Sequence, residues 1–460
     1  MPKYHDIKIA RHLSDSRIKW DFSAYAEKHL GYSWDGSSEQ KLSLLMQYHE
    51  KIEWEDSIFQ LEMELLPVLA EMEAIGVRID REKLSDIGER IIEAIKLREQ
   101  EIYDLVWERF NINSPKQIQT ILFEKLHIPP TKKNKTGYSV DNEVLESIAE
   151  NYAIAGLILE YRSLAKLSST YIEWLTKAIH PQTKRIHTDY NQTGTTTGRL
   201  SSENPNLQNI PSSPGYPEEI KSCFIPSEGN IFIVADYSQV ELRVLAMLSG
   251  DENLIEAFRA WEDIHTRTAR YLFGKDQPIT SDMRRIAKSV NFWVIYGITG
   301  FWLSKMIKKS PAESTEYIKR FFDTYPKVDS YYQHLLSNAR ETGYVETYFW
   351  RKRYIKWLND ANKTMRSIAE REAMNMPIQW TAADVMKYAM LAIQKGKSEK
   401  NLDWNMILQV HDELVFDVPK NEEETWLQLV RESMEWVLAL HGVSLKVDIH
   451  TGKNWHDAKG

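Results

Sequence analysis

From about residue 58 onward, apolar residues recur at three- and four-residue spacing, the period of helices that bury one face. The run FQLEMELLPVLAEMEAIGV opens this region, and a long charged stretch from Asp80 to Phe110 keeps the same spacing. In NINSPKQIQTILFEKL, Ser114-Pro115 predicts a helix start with proline at the first helical position. The basic, glycine-containing loop TKKNKTGYS then precedes a further helix over roughly Asn142 to Lys177. Two long helices around a basic loop suit either a projecting arm or a simple helical hairpin.

The middle of the chain changes character. HTDYNQTGTTTGRLSSENPNLQNIPSSPGYP is poor in apolar residues and rich in Thr, Ser, Asn, Gly and Pro, which predicts solvated loop. NIFIVADYSQ is a short apolar β-run that ends abruptly at Asp236. Helical period resumes from about Glu241 to Lys395, with turns near Gly274, Gly297 and Gly343. MILQV and LVFDV then read as two strands joined by the tight polar turn HDE. Residues 1–57 show no complete unit, and there is no internal repeat.

Composition narrows the class. The 460 residues are 42% hydrophobic and 27% charged, as in a globular protein with a large core. No apolar run reaches the 18 or so residues of a membrane span. The polar start MPKYHDIKIARHL is unlike a secretory signal. The one cysteine, Cys223, excludes a disulfide framework and any cysteine-based zinc site, so a cytoplasmic setting is expected. A net charge of −8 argues against a histone-like coat of positive charge but leaves room for a locally basic cleft. The oddest numbers are 15 Trp beside 19 Gly. Average usage, with Gly at roughly 7%, would give about 32 glycines.

Candidate chemistry starts with two carboxylates. Asp236 ends one β-run and Asp412 lies in the turn between two others. Each could be a plain turn former, or the two could converge on Mg²⁺, which takes a few carboxylates plus substrate phosphates. A second signal lies in Met283–Tyr296, where Arg284, Lys288, Phe292 and Tyr296 recur every four residues and form one stripe. Cations at one end and aromatics at the other fit neither a solvated face nor a core. Arg284 and Phe292 are about 12 Å apart along a helix, the scale of a nucleoside triphosphate with its base stacked on the ring.

These segments resemble family A DNA polymerases, the bacterial DNA polymerase I type. DYSQVELR (236–243), R-x3-K-x3-F-x3-YG (284–297) and QVHDELVF (409–416) are similar to that family's three polymerase motifs. TGRLSSENPNLQNIP (197–211) and REAMNMPIQ-x-TAADVMK (371–387) match further family segments in the family's order. The resemblance runs from about residue 58 to the C-terminus. It implies an α+β, right-hand polymerase fold: an antiparallel palm sheet carrying the carboxylates, helical fingers and a helical thumb. The implied division is palm start and thumb at 58–185, palm at 186–242, fingers at 243–365 and palm again at 366–460. Residues 1–57 would be the tail of a 3′–5′ exonuclease-like domain.

The resemblance implies template-directed addition of dNTPs to a primer 3′-hydroxyl, with primer–template DNA as partner, by a monomer. Asp236 and Asp412 would bind two Mg²⁺ ions, with Glu413 as a supporting acid. Arg284 and Lys288 would hold the triphosphate, with His265 in DIHTRTA as a further contact. Phe292 would stack on the incoming base, and its lack of a hydroxyl implies discrimination against dideoxynucleotides. Glu241 would crowd a ribose 2′-hydroxyl, and Tyr296 would sit near the templating position. Minor-groove acceptors are shared by all base pairs, so donors there check pair geometry without reading sequence. Arg199, Gln208, Arg371, Asn375, Gln379 and His411 would form that set. The TKKNK loop would touch phosphates.

Two departures qualify these expectations. HDIKIARHLSDS is similar to the second exonuclease motif, with Asp6 at its acidic position, but no first motif precedes it and Tyr48 does not begin a convincing third. Neither proofreading nor a 5′-nuclease activity is therefore expected. Tryptophan also stands where the family usually has glycine, at Trp261, Trp293, Trp302, Trp350 and Trp380, with Trp107 as a sixth. Glycine serves where backbones approach closely or φ is positive, so one repeated exchange suggests a lineage that reads UGA as glycine. Trp455 sits where the family itself has tryptophan. Such bulk leaves as alternatives a primer–template binding protein with little catalysis, or a side activity copying RNA.

Overall fold

The computed structural model describes residues 57–459 apart from 135–136, 275–276 and 404, together with Ile9, His12 and Leu13. Asp6, Tyr48 and nearly all of the expected exonuclease remnant lie outside the described residues. The architecture is α+β, as expected, with long helices and small sheets. The chain forms two compact units, one of residues 1–74, 189–203 and 233–450, the other of residues 75–188, 204–232 and 451–460. Among the described residues no helix is long and apolar enough to cross a membrane.

In the first unit, helix α1 (Ser57–Ile75) supplies Leu65, Val68, Leu69 and Met72 to the main core. The central sheet contains β1 (Asn230–Tyr237), β2 (Asn405–Val410), β3 (Glu413–Pro419) and β4 (Val447–Gly452), in the order β2-β3-β1-β4. β2 and β3 are the two strands expected around HDE. They pair antiparallel, Val410 opposite Glu413 and Leu408 opposite Val415, with a bulge between Met406 and Leu408. Only His411 and Asp412 remain for the turn, and His411 takes φ 54°, as a tight hairpin connection demands. Phe232, Ile233, Val234 and Ala235 are all buried, so this run reads as continuously apolar rather than alternating.

Helix α2 (Ser281–Ile295) starts at Thr280, whose hydroxyl accepts the Met283 N–H. Ile286, Ala287, Val290, Val294 and Ile295 face the core. The opposite face exposes Arg284, Lys288 and Phe292, the stripe read from the sequence. Helix α3 (Lys363–Lys400) is capped by Asn362 and runs through Pro377. At Gly343, where a turn was expected in the helical region, the chain forms a hairpin that was not: Tyr344–Glu346 pairs antiparallel with Lys352–Tyr354. Burial alternates here, but polar Thr347 and Arg351 stand on the buried side, so VETYFWRKRY shows no two-residue apolar period, and the turn residue Trp350 gives no glycine signal.

In the second unit, helix Arg81–Val106 begins at Asp80, whose carboxylate accepts the Lys83 N–H at 3.0 Å. Pro115–Gln119 begins at Ser114 as read from the sequence. The expected helix over 142–177 is divided into Asn142–Ala149, Ala153–Lys166 and Glu173–Ala178, with a π-helical turn at Leu167–Ile172. The Glu150–Tyr152 link lets both helical faces bury Leu145, Ile148, Ile154 and Ile158 in one cluster with Ile102, Val106 and Ile118. In the basic loop, Lys132 is ion-paired to Asp141 and Glu143, and Lys133 lies 5.8 Å from the Tyr138 ring.

Candidate active site

The first unit brings Asp236 and Asp412 together through the backbone. Asp236 is the penultimate residue of β1, and the Tyr237 N–H donates to the Asp412 carbonyl at 3.0 Å. That bond seats the β2–β3 turn beside the end of β1. Glu413, the next residue, is buried in β3. The Asp412 carboxylate is partly exposed, and Arg199 Nη2 reaches its Oδ1 at 3.5 Å. Among the described residues no group of three or more His, Cys, Asp or Glu is arranged to hold a metal. Asp236 and Asp412, at strand ends joined through this backbone bond, would offer Mg²⁺ a sparse oxygen set to be completed by water and phosphate oxygens.

A polar cluster flanks this pair. Helix Val240–Ser249 starts beside β1 and carries Glu241 in its first turn. Glu241 is buried and accepts Arg199 Nη2 at 3.0 Å through Oε1 and the Tyr296 hydroxyl at 2.8 Å through Oε2. Burial pushes the Glu241 carboxyl upward against the pull of Arg199 and Tyr296. Burial also drives the Tyr296 phenol well above its ordinary value, with Glu241 adding to the effect.

Along α2 the stripe acquires partners. Arg284 Nε donates to Asp263 Oδ2 at 2.6 Å. Burial works to raise the Asp263 carboxyl, but Arg284, the Thr266 hydroxyl and the His265 N–H hold it at about 2. His265 is buried, with Nδ1 3.0 Å from Asn291 Nδ2. Its pKa is pushed down to about 4 by burial and by the Arg284 and Lys288 charges, so it is a neutral imidazole at neutral pH. Phe292 is 47% exposed, with its ring 5.1 Å from that of Tyr296 and 5.2 Å from that of Trp293. The cationic and aromatic ends of the stripe therefore open on the same side of α2.

The remaining expected DNA contacts lie mostly on α3. Arg371 donates to the Ser367 carbonyl at 3.2 Å and packs against Gly297, where a Cβ would meet its Cγ at 2.9 Å. Gly297 has φ 63°, so this turn requires glycine for both reasons. Asn375 Nδ2 is 3.4 Å from Gln379 Oε1, while its buried Oδ1 has no hydrogen-bond partner among the described residues. Gln409 Nε2 donates to the His411 carbonyl at 2.5 Å and braces the turn. Gln208 belongs to the second unit, in a short 3₁₀ turn capped by Asn206.

Several participants were not recognised in the sequence. Asp263 and Asn291 flank His265, and their only signal is adjacency to residues already chosen. A buried charge cluster is less visible still. Glu62 Oε1 accepts Arg351 Nη2 at 2.6 Å and Lys387 Nζ, and its Oε2 accepts Gln192 Nε2 at 2.7 Å. Arg351 also donates to Asp384 at 2.9 and 2.6 Å. The Arg351 Cδ lies 3.8 Å from where a Gly198 Cβ would be, so this cluster underlies the segment bearing Arg199. Charges inside the apolar runs FQLEMELL, which holds Glu62, and TAADVMKYAM, which holds Asp384 and Lys387, were the available hint.

The helix-rich α+β chain thus combines two aspartates at joined strand ends with a cationic and aromatic helix face. The chain belongs to DNA polymerase family A, whose sequence profile matches residues 81–457. It is similar to the DNA polymerase I of Bacillus caldotenax, at 47% identity over 405 residues, covering 87% of this chain and 46% of that protein. Similarity to the thermostable DNA polymerase I of Thermus thermophilus is 44% over 403 residues, covering 87% of this chain and 48% of that one. The solved POL domain of Pol1 from M. smegmatis, in complex with DNA primer-template and dNTP, matches with a TM-score of 0.91 at 33% identity, over 99% of this chain and 82% of that chain. The chain thus spans about half the length of the curated relatives it matches.

Proposed function

We propose that this chain performs template-directed DNA synthesis, transferring dNMP units to a primer 3′-hydroxyl. The observation that carries the reading is the Tyr237–Asp412 backbone bond, which joins the strand bearing Asp236 to the turn bearing Asp412 beside Arg199 and Glu241. Asp236 and Asp412 would hold Mg²⁺, with Glu413 supporting them. Two such ions supply charge neutralisation at the attacking and leaving oxygens.

The chain's own residues do the positioning. Arg284 and Lys288 bind the triphosphate, and the 2.6 Å bond that Arg284 Nε donates to Asp263 aims its guanidinium. The neutral His265 offers a hydrogen bond without adding a buried charge. Phe292, half exposed at the far end of α2, stacks on the incoming base, and Tyr296 lies beside it near the templating position. Glu241 crowds the ribose 2′-hydroxyl, its side chain held in place by Arg199 and Tyr296. Arg199, Gln208, Arg371, Asn375, Gln379 and His411 contact the primer–template without base selection, as donors to the minor-groove acceptors that all base pairs share.

A second reading is that the chain binds primer–template with little catalysis. Trp293 favours it, since its ring contacts both Phe292 and Tyr296 on the surface assigned to the nucleotide. Extension of a labelled primer on four templates, each with Mg²⁺ and one dNTP, tests the proposal. Incorporation of only the complementary nucleotide supports synthesis. Binding of the duplex with no extension would leave the second reading in its place.

A further inference from the structure

The tryptophans are not physically alike. Twelve non-glycine residues among those described adopt positive φ, and four of them are tryptophan: Trp107 (53°), Trp261 (54°), Trp350 (64°) and Trp357 (67°). The others are Lys, Asn, Gln and His. For a bulky side chain this conformation is an outlier, and glycine is the residue that enters it without steric cost. Each of the four sits where a left-handed residue reverses the chain. Trp107 is the left-handed cap of helix Arg81–Val106, a position that favours glycine. Trp261 follows the end of helix Glu252–Arg259, and the Glu262 N–H folds back to the Ala257 carbonyl. Trp350 closes the turn between Tyr344–Glu346 and Lys352–Tyr354 and donates to the Thr347 carbonyl. Trp357 accepts the Asp360 N–H in the next turn.

Their side chains are also misplaced for tryptophan, which is highly buried on average. Trp107 is 93% exposed, and the other three are about half exposed or more. Trp426 and Trp455 behave oppositely. Both are fully buried, Trp426 donates its indole N–H to Glu422, and Trp455 packs edge-on against Phe224 beneath Lys221. Trp293, Trp302 and Trp380 are different again: they lie in helices with ordinary φ, so the resemblance alone, and not the backbone, assigns them to glycine sites.

We propose that Trp107, Trp261, Trp350 and Trp357 stand at positions where the working protein carries glycine, specified by UGA codons that the source organism reads as glycine. UGA differs by one base from a glycine codon and by one base from the tryptophan codon, so one decoding difference produces all four exchanges. Trp357 was not among the glycine sites expected from the family motifs, so the backbone extends the set independently of them. The inference does not depend on the chain being an active polymerase.

The coding DNA tests it directly. UGA at codons 107, 261, 350 and 357, with UGG at 426 and 455, is the expected result. UGG at any of the first four, or UGA at either of the last two, overturns it. On the protein itself, the combined Trp107→Gly, Trp261→Gly, Trp350→Gly and Trp357→Gly variant unfolds at a higher temperature than the tryptophan chain. An unchanged or lower Tm overturns the structural assignment.

Discussion

Replacing Glu62 with Gln probes the cluster that supports the Arg199 segment. Glu62, Arg351, Asp384 and Lys387 are all buried and together carry two negative and two positive charges. The amide keeps the shape but leaves a net positive charge in the core, which costs about 3–5 kcal/mol when one partner of a buried pair is lost. Proton linkage gives the same scale. Burial alone would raise the Glu62 carboxyl, but Lys387 and Arg351 bring it from 4.5 down to about 2, equivalent to about 3 kcal/mol. Because the folded-state value is depressed, this stability is present above pH 4.5 and is lost as pH falls toward about 2. Urea denaturation at neutral pH should show a lower midpoint with an unchanged slope for Glu62→Gln. Repeating the series down to low pH should show a shallower acid dependence in the variant. A loss below about 1 kcal/mol, or parallel acid curves for the two proteins, would refute the reasoning.

Other consequences are equally measurable. The His265 imidazole should titrate near 4 by NMR, and its depressed value means stability falls as pH drops from 6.5 toward 4, where the unfolded ring takes up the proton first; an ordinary titration near 6.5 contradicts the burial argument. Arg284→Ala and Lys288→Ala should each weaken dNTP binding about 10- to 100-fold in steady-state kinetics, the scale of a charge-assisted hydrogen bond, while duplex affinity stays constant. Glu241→Ala should raise ribonucleotide incorporation relative to deoxynucleotide incorporation, and an unchanged ratio would remove Glu241 from sugar discrimination.

The legible parts of the molecule were those in which local chemistry and tertiary structure agree. The runs NIFIVADY and MILQV-HD-ELVFDV became strands because their apolar residues are continuous and a turn of only two residues separates the latter pair. Ser114-Pro115 and the α2 stripe were legible for the same reason: a cap and a four-residue repeat are local signals. The hairpin at 344–354 was missed because its turn carries tryptophan where a glycine would have marked it. Glu62, Arg351, Asp384 and Lys387 were missed because their pairing spans long separations along the chain, and a charge with a distant partner looks solvated in sequence. Asp236 and Asp412 were individually ambiguous as turn formers, and only the bond between their strands brings them together.

The central claim is that Asp236 and Asp412 form one metal-dependent centre for nucleotidyl transfer. Single-turnover dNTP incorporation, measured together with primer–template affinity for Asp236→Ala and Asp412→Ala, tests it most directly. Metal-assisted charge stabilisation is worth several kcal/mol, so each variant should lose about three orders of magnitude in rate while binding the duplex as before. Incorporation at near-parental rate by either variant would contradict the account.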